Sequence, residues 1–414
     1  MQIDLLIEQA ESELRQRFYA VEKQTVMHQE RVLNAFAAQR VSDFHLHGST
    51  GYGYGDSGRE VIESIYAELF GGESALVRTH FASGTHAISC ALFAVARPGD
   101  EIIVATGQPY DTLHGVLGLH GTGSSSLMDW GVSTKVLPQL PGGGIDIAQT
   151  LASISERTKV LYLQRSRGYS WRRAISVREL GEVIAAVRKV RPDITAVVDN
   201  CYGEFVEDRE PGHAGADLTA GSLIKNPGGG LALSGGYVVG RRDLIHRVAE
   251  NLYAPGIAGK VGATATANRG ILQGIFMAPA LVEACLKGAM LLARCGERLG
   301  LPVSPASGEA RADIIQALGL ASREAVVEFC RGIQQASPID SHVSPEPGAL
   351  PGYDCEVIMA AGTFIQGASS ELSADAPMRD PYAVYVQGGL SYAHVRVAVS
   401  RALSRVQRFV SIHE

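Results

Sequence analysis

From Ala82 onward the chain alternates segments of helical period with short apolar runs too brief to be helices, and this alternation constrains the fold more than any other feature. Helices are expected at 82–96, 177–189 and 244–252, and strands at 101–105, 160–164, 195–199 and 235–240. Such a pattern calls for a mainly parallel sheet with helices on both faces, because each parallel crossover needs a covering element. Before it, Ile3 to about Arg40 contains neither glycine nor proline and carries apolar residues at helical spacing (Leu5, Leu6, Ala10, Leu14, Phe18, Val21), which predicts an arm of one or two helices. A loop rich in glycine and tyrosine, Ser49 to Arg59, leads into a helix expected over 60–69. An apolar helix is expected at 273–294, interrupted by Glu283 and Lys287 and so read as core or interface rather than membrane span. The remainder mixes strands and helices between turn-marking prolines. The expected organisation is an arm and loop over 1–60, a large α/β domain over 61–290 and a smaller α+β domain over 291–414.

With 414 residues the chain can bury two or three domain cores. A formal charge of −6 argues against a sequence-independent grip on nucleic acid, and the acidic residues among the first apolar ones do not make a leader peptide. Six cysteines without a CxxC pair disfavour a zinc site and a disulfide framework, so the expected setting is the cytoplasm, with no membrane partner. His45 and His47 lack a third ligand nearby and are read as structural; no metal is expected. Glycine makes up 47 of 414 residues, about 11% against the usual ~7%, and its clusters mark backbone that turns sharply or approaches a ligand closely.

Only seven lysines accompany thirty arginines, which makes each lysine easy to weigh. Lys225 follows the apolar pair Leu223-Ile224 and precedes a glycine run, unlike a solvated helix-face lysine. Twenty-six residues upstream, Asp199 ends an apolar strand, the usual place for a ligand-contacting residue in an open α/β sheet. A desolvated amine that can form an imine, together with an acid that can keep a pyridine nitrogen protonated, is what a pyridoxal phosphate enzyme needs. Ser83, Gly84 and Thr85 open a predicted helix whose free N–H groups suit a phosphate, and Ser222 can add a hydroxyl. Taken singly, each of these is more simply a helix cap or a turn residue; the combination points to the cofactor.

Several longer motifs sharpen this: STGYGY (49–54), SGTHA (83–87), QRSRGY (164–169), VDNCYGEF (198–205), SLIKNPGGG (222–230), YAPGI (253–257), ELSADAP (371–377) and YVQGGL (385–390). They resemble the methionine gamma-lyase-like, or aluminium-resistance, proteins, within the cystathionine and methionine lyase branch of the fold type I pyridoxal phosphate enzymes. The resemblance runs from about residue 45 to the end. It implies a large domain with a mainly parallel sheet plus a smaller α+β C-terminal domain. Lys225 is implied as imine-forming lysine and acid/base, Asp199 as pyridinium partner, Ser83, Gly84, Thr85 and Ser222 as phosphate cradle, and Tyr110 as the ring-stacking, catalytic tyrosine. Tyr52, Tyr54 and Arg59 are implied candidates for reaching a neighbouring subunit's phosphate. Arg396, placed by its alternating surroundings on a strand, is implied as the clamp on a substrate carboxylate, and Arg165 as a second substrate-binding candidate.

The implied activity is β- or γ-elimination on a small L-amino acid by a homodimer or homotetramer with shared sites. A thiol would serve as leaving group. A halide from a chlorinated unsaturated amino acid would serve as well, and transamination or γ-replacement uses the same fold. A non-catalytic pyridoxal phosphate binding protein is the reading against which intact Lys225, Asp199 and Arg396 count. A nicotinamide dehydrogenase is disfavoured by the absence of a GxGxxG run after a first strand.

Overall fold

A computed structural model describes residues 3–119, 125–350 and 353–409. Freedom from glycine and proline lets the arm form one continuous 36-residue helix, α1 (Ile3–Ala38), whose buried residues Leu6, Ile7, Ala10, Leu14 and Val21 recur at helical spacing. α2 (Ser57–Phe70) starts where the Asp56 carboxylate accepts from the Arg59 N–H, and it stops at Gly71 in the left-handed region, φ 74°.

Seven strands form the larger sheet: β1 (Ser74–Arg78), β2 (Glu101–Val104), β3 (Ser133–Val136), β4 (Thr158–Gln164), β5 (Thr195–Asp199), β6 (Leu218–Ser222) and β7 (Gly236–Gly240), in the order β1-β7-β6-β5-β4-β2-β3. β6, β5, β4, β2 and β3 are parallel, and β7 runs against both β6 and β1. Intervening helices are α3 (Gly84–Val95), α4 (Asp111–Leu117), α5 (Ile147–Ala152), α6 (Val177–Val190) and α7 (Arg242–Leu252). Alternation within strands assigns the two faces. Val160, Tyr162 and Val197 pack with residues of α3 and α7, whereas Leu161, Leu163, Ala196 and Val198 pack with α6. Both faces are therefore covered, as a parallel sheet requires. Strands β1, β3 and β6 and the short helices α4 and α5 carry too weak a pattern to be read from sequence.

α8 (Ala267–Arg298) is long and apolar enough to cross a membrane by length and composition, but 78% of its most apolar stretch is buried inside the protein, so it is a core helix. The boundary expected at residue 290 falls within it. α1 lies against α8, joined at its edge by Lys287 to Glu22 (2.8 Å) and Arg298 to Glu13 (2.6 Å). The second sheet is antiparallel, with β8 (Val303–Ser304), β9 (Gln316–Gly319), β10 (Val357–Ala360), β11 (Ser373–Pro377) and β12 (Ala383–Gln387) ordered β10-β11-β12-β9-β8. α9 (Arg323–Ala336) and α10 (Tyr392–Val406) complete its core with Leu318, Ile358, Ala374 and Val384. The strand expected around Arg396 is thus a helix: Val395, Val399, Ala402 and Val406 repeat at three- and four-residue intervals on its buried side.

α8 also holds the turn that follows Lys225. Gly274 and Gly228 face each other so closely that a Cβ at Gly274 would strike the Gly228 carbonyl oxygen. Gly274→Ala is expected to cost about 1–3 kcal/mol through overpacking, read as a Tm several degrees lower; an unchanged Tm would show that this contact does not fix the turn.

Candidate active site

The carboxyl ends of β4, β5 and β6 meet the N-terminus of α3 at a cavity of about 260 Å³, with residues of the second sheet closing it from above. This is where an open α/β sheet presents its strand ends to a ligand.

Asp199 is the last residue of β5 and is buried; its Oδ1 accepts the Cys201 N–H at 3.0 Å. Burial raises its carboxyl above the usual range, opposed by the nearby Lys225 ammonium and by that N–H. Lys225 lies between the end of β6 and the one-turn helix Asn226–Gly228. Its Nζ sits 3.9 Å from the centroid of the Tyr202 ring, a cation–π geometry. Burial by itself would lower this amine, but the acidic groups of Cys201, Tyr202, Asp199 and Tyr110 around it outweigh burial and raise it. Tyr202 reaches its position through a left-handed backbone, φ 69°, so local strain presents the ring to the amine.

Ser83 caps α3 by accepting the His86 N–H at 3.1 Å, which leaves the Gly84 and Thr85 N–H groups without a partner among the described residues. A Cβ at Gly84 would lie 3.1 Å from Ser222 Cβ and 3.4 Å from Cys201 Sγ, so glycine is what lets the helix start press against the ends of β5 and β6. The Tyr110 hydroxyl donates to Thr85 Oγ1 at 3.0 Å and its N–H donates to Gln164 Oε1 at 2.8 Å. These residues fit pyridoxal phosphate. Unpartnered amides and the Thr85 and Ser222 hydroxyls suit its phosphate, Asp199 its ring nitrogen, Lys225 its carbonyl carbon, and all of them line one cavity.

The structure thereby brings together Lys225, Asp199, Tyr110, Ser83, Gly84, Thr85 and Ser222. It does not bring Arg396, Arg165, Arg59, Tyr52 or Tyr54 to the lining of that cavity. Arg396, on α10, donates from Nε to Glu11 of α1 at 3.0 Å. Arg165 is sealed in the protein, donating to Asn200 Oδ1 (2.7 Å), the Gly203 carbonyl (2.8 Å) and Glu207 (2.6 Å), so it ties the end of β4 to the segment after β5. Arg59 is likewise buried and braces its own loop through the carbonyls of Gly53 and Gly262. Tyr52 and Tyr54 stack on each other and are 71% and 69% exposed.

Missing from the sequence reading were the residues that roof the cavity: Tyr169, Tyr202, Tyr353, Ile315 and Gln387. Behind them Asp375 is buried, accepting from the Tyr169 hydroxyl at 2.9 Å and the Gln387 amide at 2.7 Å, with its carboxyl pushed up to about 6 by burial. Two motifs contained the signal: residues two apart in ELSADAP and in YVQGGL face each other across β11 and β12, in the register Ser373 to Gln387 and Asp375 to Tyr385. No cluster of three or more potential metal ligands occurs among the described residues.

The fold is that of the fold type I pyridoxal phosphate enzymes, and its strand ends gather an amine, a buried acid and free helix-start amides. The comparisons narrow it. Residues 3–407 match the methionine gamma-lyase family model, and the chain belongs to that family. It is 49% identical over 379 residues to the uncharacterized protein YnbB of Bacillus subtilis, covering 91% of this chain and 90% of that one. It also resembles the crystal structure of a carbon-sulfur lyase involved in aluminium resistance from Clostridium novyi, with TM-score 0.94 and 43% identity, covering 98% and 96% of the two chains. A more distant likeness, 30% identity over 193 residues, covers 45% of this chain and 42% of L-methionine gamma-lyase from Pseudomonas putida. Family and neighbours together indicate a lyase of the cystathionine and methionine type, and favour neither the halide-releasing nor the non-catalytic reading.

Two predictions follow from the geometry. Glu204, bonded to the Tyr237 hydroxyl at 2.8 Å beneath the Lys225 turn, has its carboxyl raised to about 8 by burial. A carboxyl raised in the folded state binds more protons folded than unfolded, so its contribution to stability falls as pH rises through that window. The Tm gain of Glu204→Gln over the parent is expected to grow between about pH 5 and about pH 9; a gain independent of pH would reject the buried neutral acid. Arg396→Ala is expected to leave KM within about twofold of the parent, and a tenfold rise in KM with kcat unchanged would return the residue to the substrate.

Proposed function

We propose that the chain is a pyridoxal phosphate-dependent lyase that eliminates a group from the β or γ carbon of an L-amino acid, breaking a carbon–sulfur bond. The convergence of Lys225, Asp199 and the free Gly84 and Thr85 amides on one cavity carries this reading, and the family match supports it. When bound, the cofactor supplies an electron sink that lets the α-proton of an amino acid leave. The protein's own groups do the rest. Lys225, the one lysine or arginine lining the cavity among the described residues, would act as the neutral amine, taking the proton from the α carbon and returning it later. Asp199, buried and aimed from β5, favours a proton on the ring nitrogen. Tyr110, fixed by Thr85 and Gln164, would lie against the ring. The roof of tyrosines limits water around the reacting carbon. Elimination at the γ carbon needs a second proton removal at the β carbon, a step the free Lys225 amine would serve again.

The solvent-facing, mutually stacked Tyr52 and Tyr54 are the groups we assign to a second subunit's cavity in a homodimer or homotetramer, while Arg59 braces the loop that carries them. All six cysteines are free thiols, five of them buried, in keeping with a reducing cytoplasm.

The test begins with colour. The purified protein should absorb in the visible, and Lys225→Ala should lose that band and at least about a hundredfold of activity. L-cystathionine and L-methionine should release thiol, and L-cysteine hydrogen sulfide, each with ammonia and keto acid. Halide release from a γ-chloro unsaturated amino acid, with no thiol from the sulfur substrates, would replace the carbon–sulfur assignment, and absence of the band would overturn the cofactor.

A further inference from the structure

A second cavity, of about 1230 Å³, opens on the other side of the Ser166–Gly168 segment, between α6 and the chain leading into β9. Six arginines line it; Arg173, Arg178 and Arg209 are paired with acids, which leaves Arg167 and Arg172 from the segment after β4 and Arg311 from the approach to β9. Arg167 is 1% exposed and Arg311 9%. Arg167 donates from Nη1 to the Ser304 carbonyl (2.7 Å) and hydroxyl (3.0 Å), yet its Nε and Nη2 have no partner. Arg311 donates from Nη2 to Gln316 at 2.5 Å, and its Nε and Nη1 have none. Arg172 spends its donors on the carbonyls of Arg167, Ser166 and Thr106, which fixes its charge beside the other two without neutralising it.

The acids around them are already engaged. Asp313 accepts the backbone N–H groups of Arg167 and Ile315, each at 3.1 Å, and its carboxylate approaches Arg167 Nε only to 4.0 Å. Glu179 pairs with Arg173, Glu182 with Arg178, Glu207 with Arg165, and Asp208 with Arg209. Glu309 accepts the Ala306 N–H at 2.9 Å on the exposed rim. Asp313 and Glu309 are the carboxylates that act on both Arg167 and Arg311, and Glu297 acts on Arg311 as well, yet the buried Arg167 and Arg311 keep unpartnered N–H groups beside the half-buried Arg172, where burial makes an unmet donor costly. Burial and mutual repulsion accordingly push Arg311 down to about 9, and burial pushes Arg172 to about 10. The unpartnered Nε and Nη2 of Arg167 form one edge of the guanidinium and match the paired oxygens of a carboxylate or phosphate, while Arg311 adds single N–H donors.

We propose that this cavity binds a small, multiply charged oxyanion, a phosphate monoester or a dicarboxylate, between Arg167, Arg172 and Arg311. Its occupant joins the two sheets, since Arg167 and Arg172 follow β4 and Arg311 precedes β9. It also sits directly behind the catalytic wall, because Ser166, Gly168 and Ile315, the neighbours of Arg167 and Asp313, line the first cavity. This site is independent of the proposed lyase reaction, and binding is read without turnover.

The experiment is thermal unfolding of the protein as purified, titrated separately with inorganic phosphate and with succinate against potassium chloride at equal ionic strength. A saturable rise in Tm of about 2–4 °C is expected for at least one oxyanion, and the larger rise identifies the phosphate or the dicarboxylate class. Arg311→Met and Arg172→Met should each abolish the rise while keeping the visible band, which separates this site from the amides of Gly84 and Thr85. A rise no greater than with chloride, a rise unchanged in both variants, or loss of the visible band on adding phosphate would each overturn the site. Should neither variant fold, calorimetric titration of the parent decides: saturable binding with one anion per chain upholds the site, and no saturable heat rejects it.

Discussion

An amine and a carboxylate have to occupy one buried cavity without being consumed by each other, and the surrounding architecture answers to that requirement. Asp199 ends β5 and Lys225 follows β6, so two adjacent parallel strands deliver the pair to the same edge of the sheet. The Lys225 ammonium rests over the Tyr202 ring, and Asp199 is held by the Cys201 N–H. Each charge has its own local support, which leaves both able to engage a third group. The close glycine contacts serve the same end: Gly84 lets α3 reach the strand ends, and Gly228 and Gly274 let α8 seat the turn after Lys225.

Much of the large sheet was readable because its chemistry is repetitive. The apolar runs at β2, β4, β5 and β7 and the periodic helices α3, α6, α7 and α8 fall within a few residues of their expected positions. β6 was not readable, since Leu218-Thr-Ala-Gly-Ser222 is short and includes a glycine, yet its neighbours in the sheet supply the pairing that its own residues do not advertise. Context overrides propensity there. Arg396 shows the reverse error. The alternation His394-Val395-Arg396-Val397 suggests a strand over four residues, but over fifteen the spacing of Val395, Val399, Ala402 and Val406 is helical, and the helix prevails.

The cavity divides in the same way. Its floor comes from residues near one another in sequence or joined by strand order, and seven of the expected residues assemble there. Its roof comes from Gln387 of β12, from Ile315 and Tyr353, and from the tyrosines after β4 and β5, brought over by long-range packing that no local pattern records. Arginines were harder still. Arg165, Arg167 and Arg172 lie within eight residues of chain, and only tertiary structure shows that the first is sealed by Asn200 and Glu207 whereas the other two face a separate cavity.

α1 has a consequence beyond packing. Its first turns, Ile3, Leu6, Ile7 and Ala10, belong to the core of the antiparallel sheet, while Leu14, Val21, Val32 and Ala35 belong to the core beneath the seven-stranded sheet. α8 spans the same two cores, through Leu291, Leu292 and Cys295 on one side and Ile271, Ile275 and Val282 on the other. Although Pro279 interrupts α8, the two helices side by side resist hinge bending, because opening the cleft would mean shearing both buried stripes at once. A clamshell opening of the cleft would therefore break buried contacts in both cores at once, whereas side chains and loops at its mouth can move without disturbing either.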